Sequence, residues 1–559
     1  MSNGSSADRS RTGHEGLTPV ADAGFDTAPK LVLLPDRSLV AFVRDPGPGT
    51  SPVRARYSRD HGMTWGPCMD TIPRAGAPVT LGPVMEATLD ARGELHVFML
   101  NDRAPDSAGE GDRGGSGTFQ GRRIDVWYAR SEAGRLRWTA PTCIWKGYTG
   151  SLNAALTLRS GRMLLPFSYY VPRTWAVRGE GLDAFTFLGM FVSAVLYSDD
   201  AGHTWKQSND LAVQTPDITH AYGACEPVAV ERADGSVWML IRTQLGRLYE
   251  STSPDGAVWT RPAPTGIVSS DSPAGLVRLP DTRLVLVWNG CQRHPYAYGG
   301  RQVLHAALSR DEGRTWQGFR EVARDPLRDQ PPPPQGDHGT AYPYPVVTAQ
   351  GAVLISSGQG GGRVVLSRLD PAFLQATRQV SDFSGTAEDW SRFGTRGVML
   401  CPHPDDSRRQ ILMIRKIDAA WPSCAVWNFP LGARGVLDML LRAEPGSQGL
   451  SIGLTDHFSP PFDPEDSFHN LVEWRLSTDR LLQPGPWFRF QMEWRVDGDR
   501  CCRVRFDGRQ VARVCLRRLS AGANYLRIKS LAVTGETGGV MLASVAVKIR
   551  PPGRESRRP

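Results

Sequence analysis

A short pattern, Ser-x-Asp-x-Gly-x-Thr-Trp, occurs three times in this 559-residue chain and constrains its fold more than any other feature. The copies lie at 58–65, 198–205 and 309–316, and decayed copies lie at 131–138 and 251–259. In such a segment the Asp side chain accepts hydrogen bonds from a tight turn, the Gly adopts a positive φ angle, and the Trp packs between sheets. We therefore interpret Asp60, Asp200 and Asp311 as structural residues and not as catalytic acids.

The same part of the chain contains six predicted β-hairpins. Each consists of two largely apolar runs joined by a short turn rich in Asp, Gly, Pro or Ser. The hairpins lie at 31–43, 86–100, 156–167, 228–241, 276–288 and 346–356. Because they recur at a spacing of roughly 45 to 75 residues, they predict a propeller rather than a sandwich. We expect six blades, with the last blade closed by a strand from the N-terminal region.

The character of the chain changes after Asp370. Alternating strands such as 425–431 and 487–498 follow, and they predict a separate, all-β sandwich. The predicted organisation is a disordered N-terminus at 1–18, a six-bladed β-propeller at 19–372, a β-sandwich at 380–550 and a disordered basic tail at 551–559.

Composition argues against several other classes of protein. The net charge is +8, but the 65 Lys and Arg residues are interspersed with 57 Asp and Glu residues, so we expect no nucleic-acid partner. An anionic sugar fits the same charge. The nine cysteines follow no metal or disulfide spacing, which predicts reduced thiols in a cytoplasmic protein without metal or other cofactor. The polar N-terminus predicts no signal peptide, and the lack of a run of about 18 apolar residues predicts no membrane span.

The repeated pattern resembles the Asp-box, or BNR repeat, of the sialidase superfamily, and this resemblance extends over the predicted propeller. It implies a glycoside hydrolase that acts on a terminal sugar of a glycan, with functional residues at the strand ends around the propeller axis. The predicted sandwich in turn resembles the jelly-roll, concanavalin-like lectin modules found beside glycosidases. That second likeness is one of fold and implies nothing about sugar binding.

The resemblance assigns catalytic and binding roles to particular residues. Glu226 stands where the family has the Glu that activates the nucleophile, and Arg242 and Arg301 stand for two of three arginines that bind a substrate carboxylate. Tyr342 or Tyr344 stands for the tyrosine nucleophile. The distance to the following turn favours Tyr342, and the apolar pattern favours Tyr344. A neutral phenol suits a sialoside, because the sugar carboxylate would repel an Asp or Glu nucleophile.

The sequence departs from the family at the first arginine. Asp26-Thr27-Ala28-Pro29 stands where sialidases have an Arg-Ile-Pro-like motif. The nearest candidate for the catalytic acid is Asp45, and Arg44 beside it and Glu86 are candidates for substrate binding. Each charged hydrogen bond is worth about 1.5–3 kcal/mol, so the loss of one arginine weakens the expected recognition of a carboxylate.

Three functions are open from the sequence, and all of them predict a carbohydrate partner. The first is an exo-acting, sialidase-like glycoside hydrolase, which the joint presence of Glu226, Arg242 and a tyrosine favours. The second is a glycan-binding propeller without activity, which the missing arginine favours. The third is a lyase acting on a uronate polymer, because Tyr and Arg side chains serve β-elimination.

Overall fold

The structure is a computed structural model, and nearly all of its regular elements are strands. It describes residues 16–20, 24–43, 53–72, 81–103, 123–132, 137–172, 189–214, 223–291, 300–330, 338–359, 364–394, 396–462, 466–477 and 482–553. These residues include two short 3₁₀ helices, Pro371–Gln375 and Asp466–His469. No helix of the described part is long and apolar enough to cross a membrane. The prediction of an all-β chain is confirmed.

The described residues divide into two compact units. The first unit contains Thr18–Arg314 and Val322–Arg368, and the second contains Thr315–Glu321 and Leu369–Pro559 with the described part of Met1–Leu17. The domain boundaries at 372 and 380 remain predictions. Of the segments predicted to be disordered, 1–15 and 554–559 lie outside the described residues, whereas Leu17 and Thr18 lie in a strand.

The first unit contains six antiparallel sheets of four or five strands in its described residues. The chain begins with β1 (Leu17–Pro19). The first sheet consists of β2 (Lys30–Leu33), β3 (Leu39–Val43), β4 (Val53–Ser58) and β5 (Met69–Ile72). The second consists of β6 (Val84–Leu89), β7 (Leu95–Arg103), β8 (Arg123–Glu132), β9 (Arg137–Trp138) and β10 (Thr142–Trp145). The third consists of β11 (Leu156–Thr157), β12 (Met163–Pro172), β13 (Gly189–Ser198) and β14 (Lys206–Gln207).

The other three sheets of this unit follow in chain order. The fourth sheet consists of β15 (Cys225–Glu231), β16 (Val237–Arg242), β17 (Arg247–Ser253) and β18 (Ala263–Val268). The fifth consists of β19 (Gly275–Arg278), β20 (Leu284–Trp288), β21 (Val303–Ser309) and β22 (Gln317–Arg324). The sixth contains β23 (Tyr344–Val347), β24 (Val353–Ser357) and β25 (Val365–Leu369). The last sheet takes β1 as its fourth strand, so the predicted closure by an N-terminal strand is present.

The inner strands of the six sheets lie next to one another in a closed ring, to which the third sheet contributes its first strand, β11, and its second strand, β12. The contacts run from β2 to β6, from β6 to β11, from β12 to β15, from β15 to β19, from β19 to β23, and from β23 back to β2. Each predicted hairpin supplies the first two strands of one sheet. The predicted propeller is therefore confirmed, and its six blades remain a prediction.

The segments 58–65, 198–205 and 309–316 form turns after the third strand of their sheets, and we call them box turns. In the second box turn, Thr204 N and Ser198 Oγ each donate to Asp200 Oδ1 at 2.8 Å, and Gly202 N donates to Ser198 Oγ at 2.8 Å. Gly202 has a φ angle of +82°, and a Cβ atom added there would lie 1.9 Å from the hydroxyl oxygen of Tyr128. Because Tyr128 belongs to the preceding sheet, the box turn packs one sheet against the next.

The second unit contains two antiparallel sheets in its described residues. Its strands are β26 (Arg378–Ser381), β27 (Trp390–Phe393), β28 (Val398–His403), β29 (Asp406–Ile414), β30 (Cys424–Gly432), β31 (Arg434–Ala443), β32 (Leu450–Thr455), β33 (Val472–Leu476), β34 (Trp487–Arg495), β35 (Cys501–Phe506), β36 (Arg509–Cys515), β37 (Ala523–Ser530) and β38 (Val540–Arg550). The five-stranded sheet has the order β27-β30-β37-β32-β33. The eight-stranded sheet has the order β28-β29-β38-β31-β34-β35-β36, and β26 pairs with β38.

Both sheets of the second unit bury side chains in one hydrophobic core. Trp427 and Ile452 come from the five-stranded sheet, and Leu437, Phe490 and Val545 come from the eight-stranded sheet. In β31 and β34, buried residues alternate with more exposed ones, as expected for a sheet that is covered on one face. Two sheets around one core are what the predicted sandwich requires, and its jelly-roll, lectin-like character remains a prediction.

Candidate active site

Glu226 lies near the start of β15, the innermost strand of the fourth sheet, where the pairing with β16 is irregular between Cys225 and Val228. Its φ angle is +42°, a left-handed value that costs a non-glycine residue about 1–3 kcal/mol. Its backbone N donates to Ser168 Oγ at 3.0 Å, and its carboxylate accepts from Ser151 N at 3.3 Å. Contacts with the preceding sheet thus hold the carboxylate in place at the inner end of the strand.

Arg242 lies at the end of β16, directly across the hairpin from Cys225. Its Nη1 donates to Glu226 Oε2, and its Nε donates to Asp271 Oδ1 at 2.8 Å. Burial by itself lowers the pKa of Arg242, but the carboxylates of Glu226 and Asp271 outweigh burial and raise it well above its ordinary value. The guanidinium is therefore charged and bound between two carboxylates.

Asp271 lies in the loop before β19, the innermost strand of the fifth sheet. It also accepts from Gln244 Nε2 at 2.9 Å. Burial by itself raises the pKa of Asp271, but Arg242 and the hydrogen bond from Gln244 outweigh burial and hold it below the usual range. Asp271 is therefore a carboxylate at neutral pH.

Arg301 lies two residues before β21 and is 6% exposed. Its Nη2 donates to the backbone oxygen of Asp271 at 2.9 Å, and its Nη1 donates to Gln359 Oε1. Its guanidinium carbon is 5.4 Å from the ring centroid of Tyr342. These contacts bring the fifth and sixth sheets together at one place.

Tyr342 precedes β23 in the sixth sheet and has a φ angle of +55°. Its hydroxyl donates to Glu226 Oε1 at 3.5 Å. Burial raises the pKa of Tyr342, the Glu226 carboxylate raises it further, and Arg242 and Arg301 oppose the shift. The phenol is therefore neutral at pH 7, beside a carboxylate that accepts its hydrogen bond. Four predicted residues, Glu226, Arg242, Arg301 and Tyr342, thus lie together.

A second group of residues, the Lys30–Glu86–Tyr344 cluster, lies on the innermost strands of the first, second and sixth sheets. Lys30 Nζ is 2.6 Å from Glu86 Oε2 and 5.6 Å from the ring centroid of Tyr344. The Glu86 side chain has no exposed surface, so in this structure it is a buried ion-pair partner and does not reach a surface where a substrate would bind. Burial also raises the pKa of Tyr344. Of the two candidate tyrosines, Tyr342 is the one whose hydroxyl reaches Glu226.

The remaining predicted residues cannot be placed in this arrangement. Arg44 and Asp45, the candidate substrate-binding residue and catalytic acid, lie outside the described residues. Asp26-Thr27-Ala28-Pro29 comes directly before β2, and the basic residue that follows it is Lys30. The second strand of that sheet ends at Val43, just before both unplaced candidates.

The box turns lie at the opposite end of their sheets from this site. In the fourth sheet, Arg242 pairs with Cys225 at one end, whereas Val237 pairs with Ser253 at the other. Ser253 lies in the decayed copy of the repeat at 251–259, and its Oγ accepts from Gly256 N at 2.8 Å. Their separation from the site supports the structural interpretation of Asp60, Asp200 and Asp311.

Sequence reasoning missed Asp271, Gln359 and Lys30. Asp271 occupies the loop before β19, an innermost strand. Glu226 became a candidate because it was predicted to precede such a strand, and the same criterion could have identified Asp271. Gln359 follows β24 in a segment without any pattern of its own. Among the described residues, no group of three or more His, Cys, Asp or Glu side chains is arranged to hold a metal ion.

Comparisons with known proteins agree on the type of fold. Residues 80–355 match the family model described as a BNR repeat-like domain. No curated protein matches the chain. Solved structures that it is similar to include a Trypanosoma rangeli sialidase, with 14% identity over 95% of this chain and 92% of the other and a TM-score of 0.40. A Dyadobacter fermentans protein of unknown function has 19% identity over 64% and 100% of the two chains and a TM-score of 0.45.

A third solved structure is a microbial sialidase, Hadza Hz136, with 17% identity over 62% of this chain and 66% of the other and a TM-score of 0.44. Identities this low carry over no residue roles. The matched family, the closed ring of sheets and the repeated turns agree with one another. Residues 80–355 of this chain therefore form a BNR repeat-like domain within the ring of sheets.

Proposed function

We propose that this chain is a glycoside hydrolase that acts on a terminal sugar of a glycan, with Tyr342 as nucleophile and Glu226 as its general base. The observation that carries the proposal is the contact of the Tyr342 hydroxyl with Glu226 Oε1 at 3.5 Å, between two arginines. In catalysis a tyrosine needs a nearby base, and hydrogen-bonding geometries are often longer in the absence of substrate.

The chemistry proceeds in two displacements. Tyr342 Oη attacks the anomeric carbon while its proton passes to Glu226, and the glycosidic oxygen leaves with a proton from a general acid. Water then attacks the anomeric carbon and gives a proton to the deprotonated general acid, the bond from that carbon to Tyr342 Oη breaks, and Glu226 returns its proton to the phenol oxygen. The positive charges of Arg242 and Arg301 stabilise the negative charge that develops on that oxygen. Asp45 remains the predicted acid.

The backbone at the site supports a functional role. Both Glu226 and Tyr342 have positive φ angles, which non-glycine residues rarely adopt without surrounding contacts that enforce them. Such conformations cluster at active sites, where they place side chains that regular strands would point elsewhere. A purely structural ion pair would need neither residue to be strained.

The test uses a panel of nitrophenyl glycosides that includes neutral hexosides, deoxyhexosides, uronides and a sialoside. We expect turnover of at least one member, a loss of about 10²–10⁴-fold in kcat for Glu226→Gln, and a loss at least as large for Tyr342→Phe. Tyr169→Phe is the matched control, because it removes a hydroxyl that hydrogen-bonds to Asp210 at 2.8 Å and leaves the Tyr342–Glu226 pair intact.

Three results contradict the proposal. Full turnover by both site variants would show that the chemistry lies elsewhere. Binding of glycans without turnover of any substrate would assign the propeller to the glycan-binding class, and release of an unsaturated product from a uronate polymer would make it a lyase.

A further inference from the structure

We infer that the site prefers a sugar without a charged group on its ring, and that Asp271 is the residue that sets this preference. The inference rests on the proposed glycoside hydrolase function and adds the class of its substrate. It departs from the anionic sugar that the net charge of the chain and the resemblance to sialidases suggest.

The first observation is that Arg242 is already bound by carboxylates. It donates through Nη1 to Glu226 and through Nε to Asp271, so two of the donor positions on its planar guanidinium face protein carboxylates. A substrate carboxylate would have to share or displace one of these partners. In a clamp for an anion the guanidinium donors point instead to the ligand.

The second observation is that Asp271 ties both arginines into one network. Its side chain binds Arg242, and its backbone oxygen accepts from Arg301 Nη2 at 2.9 Å. Gln244 Nε2 donates to its other carboxylate oxygen at 2.9 Å and fixes the carboxylate plane. Asp271 is thus held rigidly between the fourth and fifth sheets.

The third observation is the balance of charge among the four ionisable side chains of this network. Arg242 and Arg301 are positive, and Glu226 and Asp271 are negative, so their formal charges cancel. Lys30, a further cation of the described inner strands, is bound to Glu86 at 2.6 Å. A buried anion added to this set would have no counter-charge of its own, which burial penalises strongly.

The exposure of these side chains points the same way. The side chain of Asp271 is 17% exposed, compared with 11% for Arg242 and 8% for Glu226. Asp271 is therefore the most exposed of these three side chains, and it is a carboxylate. Sugar hydroxyls donate hydrogen bonds to such a protein carboxylate and accept them from arginine. The protein carboxylate would repel a sugar carboxylate, because both are negative.

A neutral substrate is compatible with the proposed nucleophile. The Tyr342 phenol carries no charge before it reacts, so it repels neither a neutral nor an anionic ring. The choice between the two classes is left to the neighbouring charges. Asn in place of Asp271 removes one of these charges with little change of shape and leaves the proposed base Glu226 in place.

The experiment compares wild type, Asp271→Asn and Asp234→Asn. Asp234 lies in the turn between β15 and β16, at the end of that hairpin away from Glu226 and Arg242, and accepts a hydrogen bond from Ser236 Oγ. The Asp234→Asn variant therefore makes the same change of charge away from the site. Hydrolysis of the aryl glycoside panel is measured together with calorimetric binding of N-acetylneuraminate, glucuronate and neutral hexoses and deoxyhexoses.

We expect wild type and Asp234→Asn to bind and cleave a neutral sugar at least tenfold better than either anionic sugar. We expect Asp271→Asn to shift this ratio at least tenfold toward the anionic sugars. Preferential cleavage of the sialoside or uronide by wild type overturns the inference and leaves the proposed function intact. If no glycoside is cleaved, the proposed function fails, and the binding ratios alone decide the inference: tighter binding of anionic sugars, or no binding of neutral ones, overturns it.

Discussion

Glu226 and Tyr342 share an uncommon backbone conformation, and both stand at the start of an innermost strand. Glycine would adopt such φ angles without cost, yet both positions carry side chains that contact each other. Their strain is held by contacts from neighbouring sheets, such as the hydrogen bond from Glu226 N to Ser168 Oγ. The side chains of Glu226 and Tyr342 are therefore positioned by contacts with neighbouring sheets and not by their own strands alone.

The raised pKa of Tyr342 predicts a loss of stability at alkaline pH. A tyrosine whose pKa is higher in the folded state binds its proton more tightly there, so its contribution to the free energy of unfolding is complete below about pH 10 and is lost as the pH rises through the folded pKa. We expect the melting temperature of wild type to fall more steeply above pH 10 than that of Tyr342→Phe. Melting curves at a series of pH values check this, and equal slopes for the two proteins would contradict it.

The resemblance to the sialidase superfamily predicted four residues of the candidate site, because they stand at the family's positions relative to the predicted hairpins. Glu226 and Arg242 flank a predicted hairpin, and Arg301 and Tyr342 precede predicted strands of the next two sheets. The sequence could not decide between Tyr342 and Tyr344, because the choice depends on a positive φ angle that no local pattern indicates. Asp271 escaped prediction because its role comes from its distance to Arg242, which only the packing of two sheets creates.

The box turns connect neighbouring sheets through glycines that have no room for a side chain. A Cβ atom on Gly62 would lie 2.3 Å from Leu354, and one on Gly313 would lie 2.7 Å from Trp238. In each pair the partner belongs to the preceding sheet of the ring. Each copy of the repeated sequence motif thus makes the same kind of contact between neighbouring sheets. This is why the motif predicted the propeller.

This role of the box turns predicts a difference between two glycines of the third sheet. Gly202 and Gly161 have φ angles of +82° and +88°, but an added Cβ atom meets Tyr128 at the first and nothing within 4 Å at the second. Both alanine variants bear the cost of a left-handed backbone, about 1 kcal/mol. Gly202→Ala bears about 1–3 kcal/mol more, because Tyr128 is buried and hydrogen-bonded to His96 at 2.7 Å.

Urea unfolding of the two alanine variants measures this difference directly. Gly161→Ala is the matched control for backbone strain within the same sheet. Equal losses of stability for the two variants would show that the box turn does not couple the second and third sheets.

The ring of the first unit closes through strands from its two ends. β1 supplies the fourth strand of the sixth sheet, and Val20 N donates to Leu366 O at 2.8 Å just after it. Val20 is buried with Leu354 and Leu366 in a small core that also contains residues of the first sheet. Without β1, the strand β25 would be an open edge, which invites pairing with other chains.

Truncation tests this closure. We expect a chain that begins at residue 21 to lose at least about 1.5 kcal/mol of stability, from the burial of Val20 alone, and to aggregate more readily. A chain that begins at Gly16 retains β1 and is the matched control. Chemical unfolding and light scattering provide the measurements, and equal stability of the two chains would contradict a closing role for β1.

The order of the site residues along the chain has a consequence for protein synthesis. Glu226 and Arg242 leave the ribosome first, Arg301 follows, and Tyr342 and Gln359 come with the sixth sheet. A nascent chain therefore carries the proposed base long before it carries the proposed nucleophile. The network that joins them forms only when the last sheet takes its place between the fifth and the first. Turnover would thus report that synthesis has passed the sixth sheet and that the ring has closed.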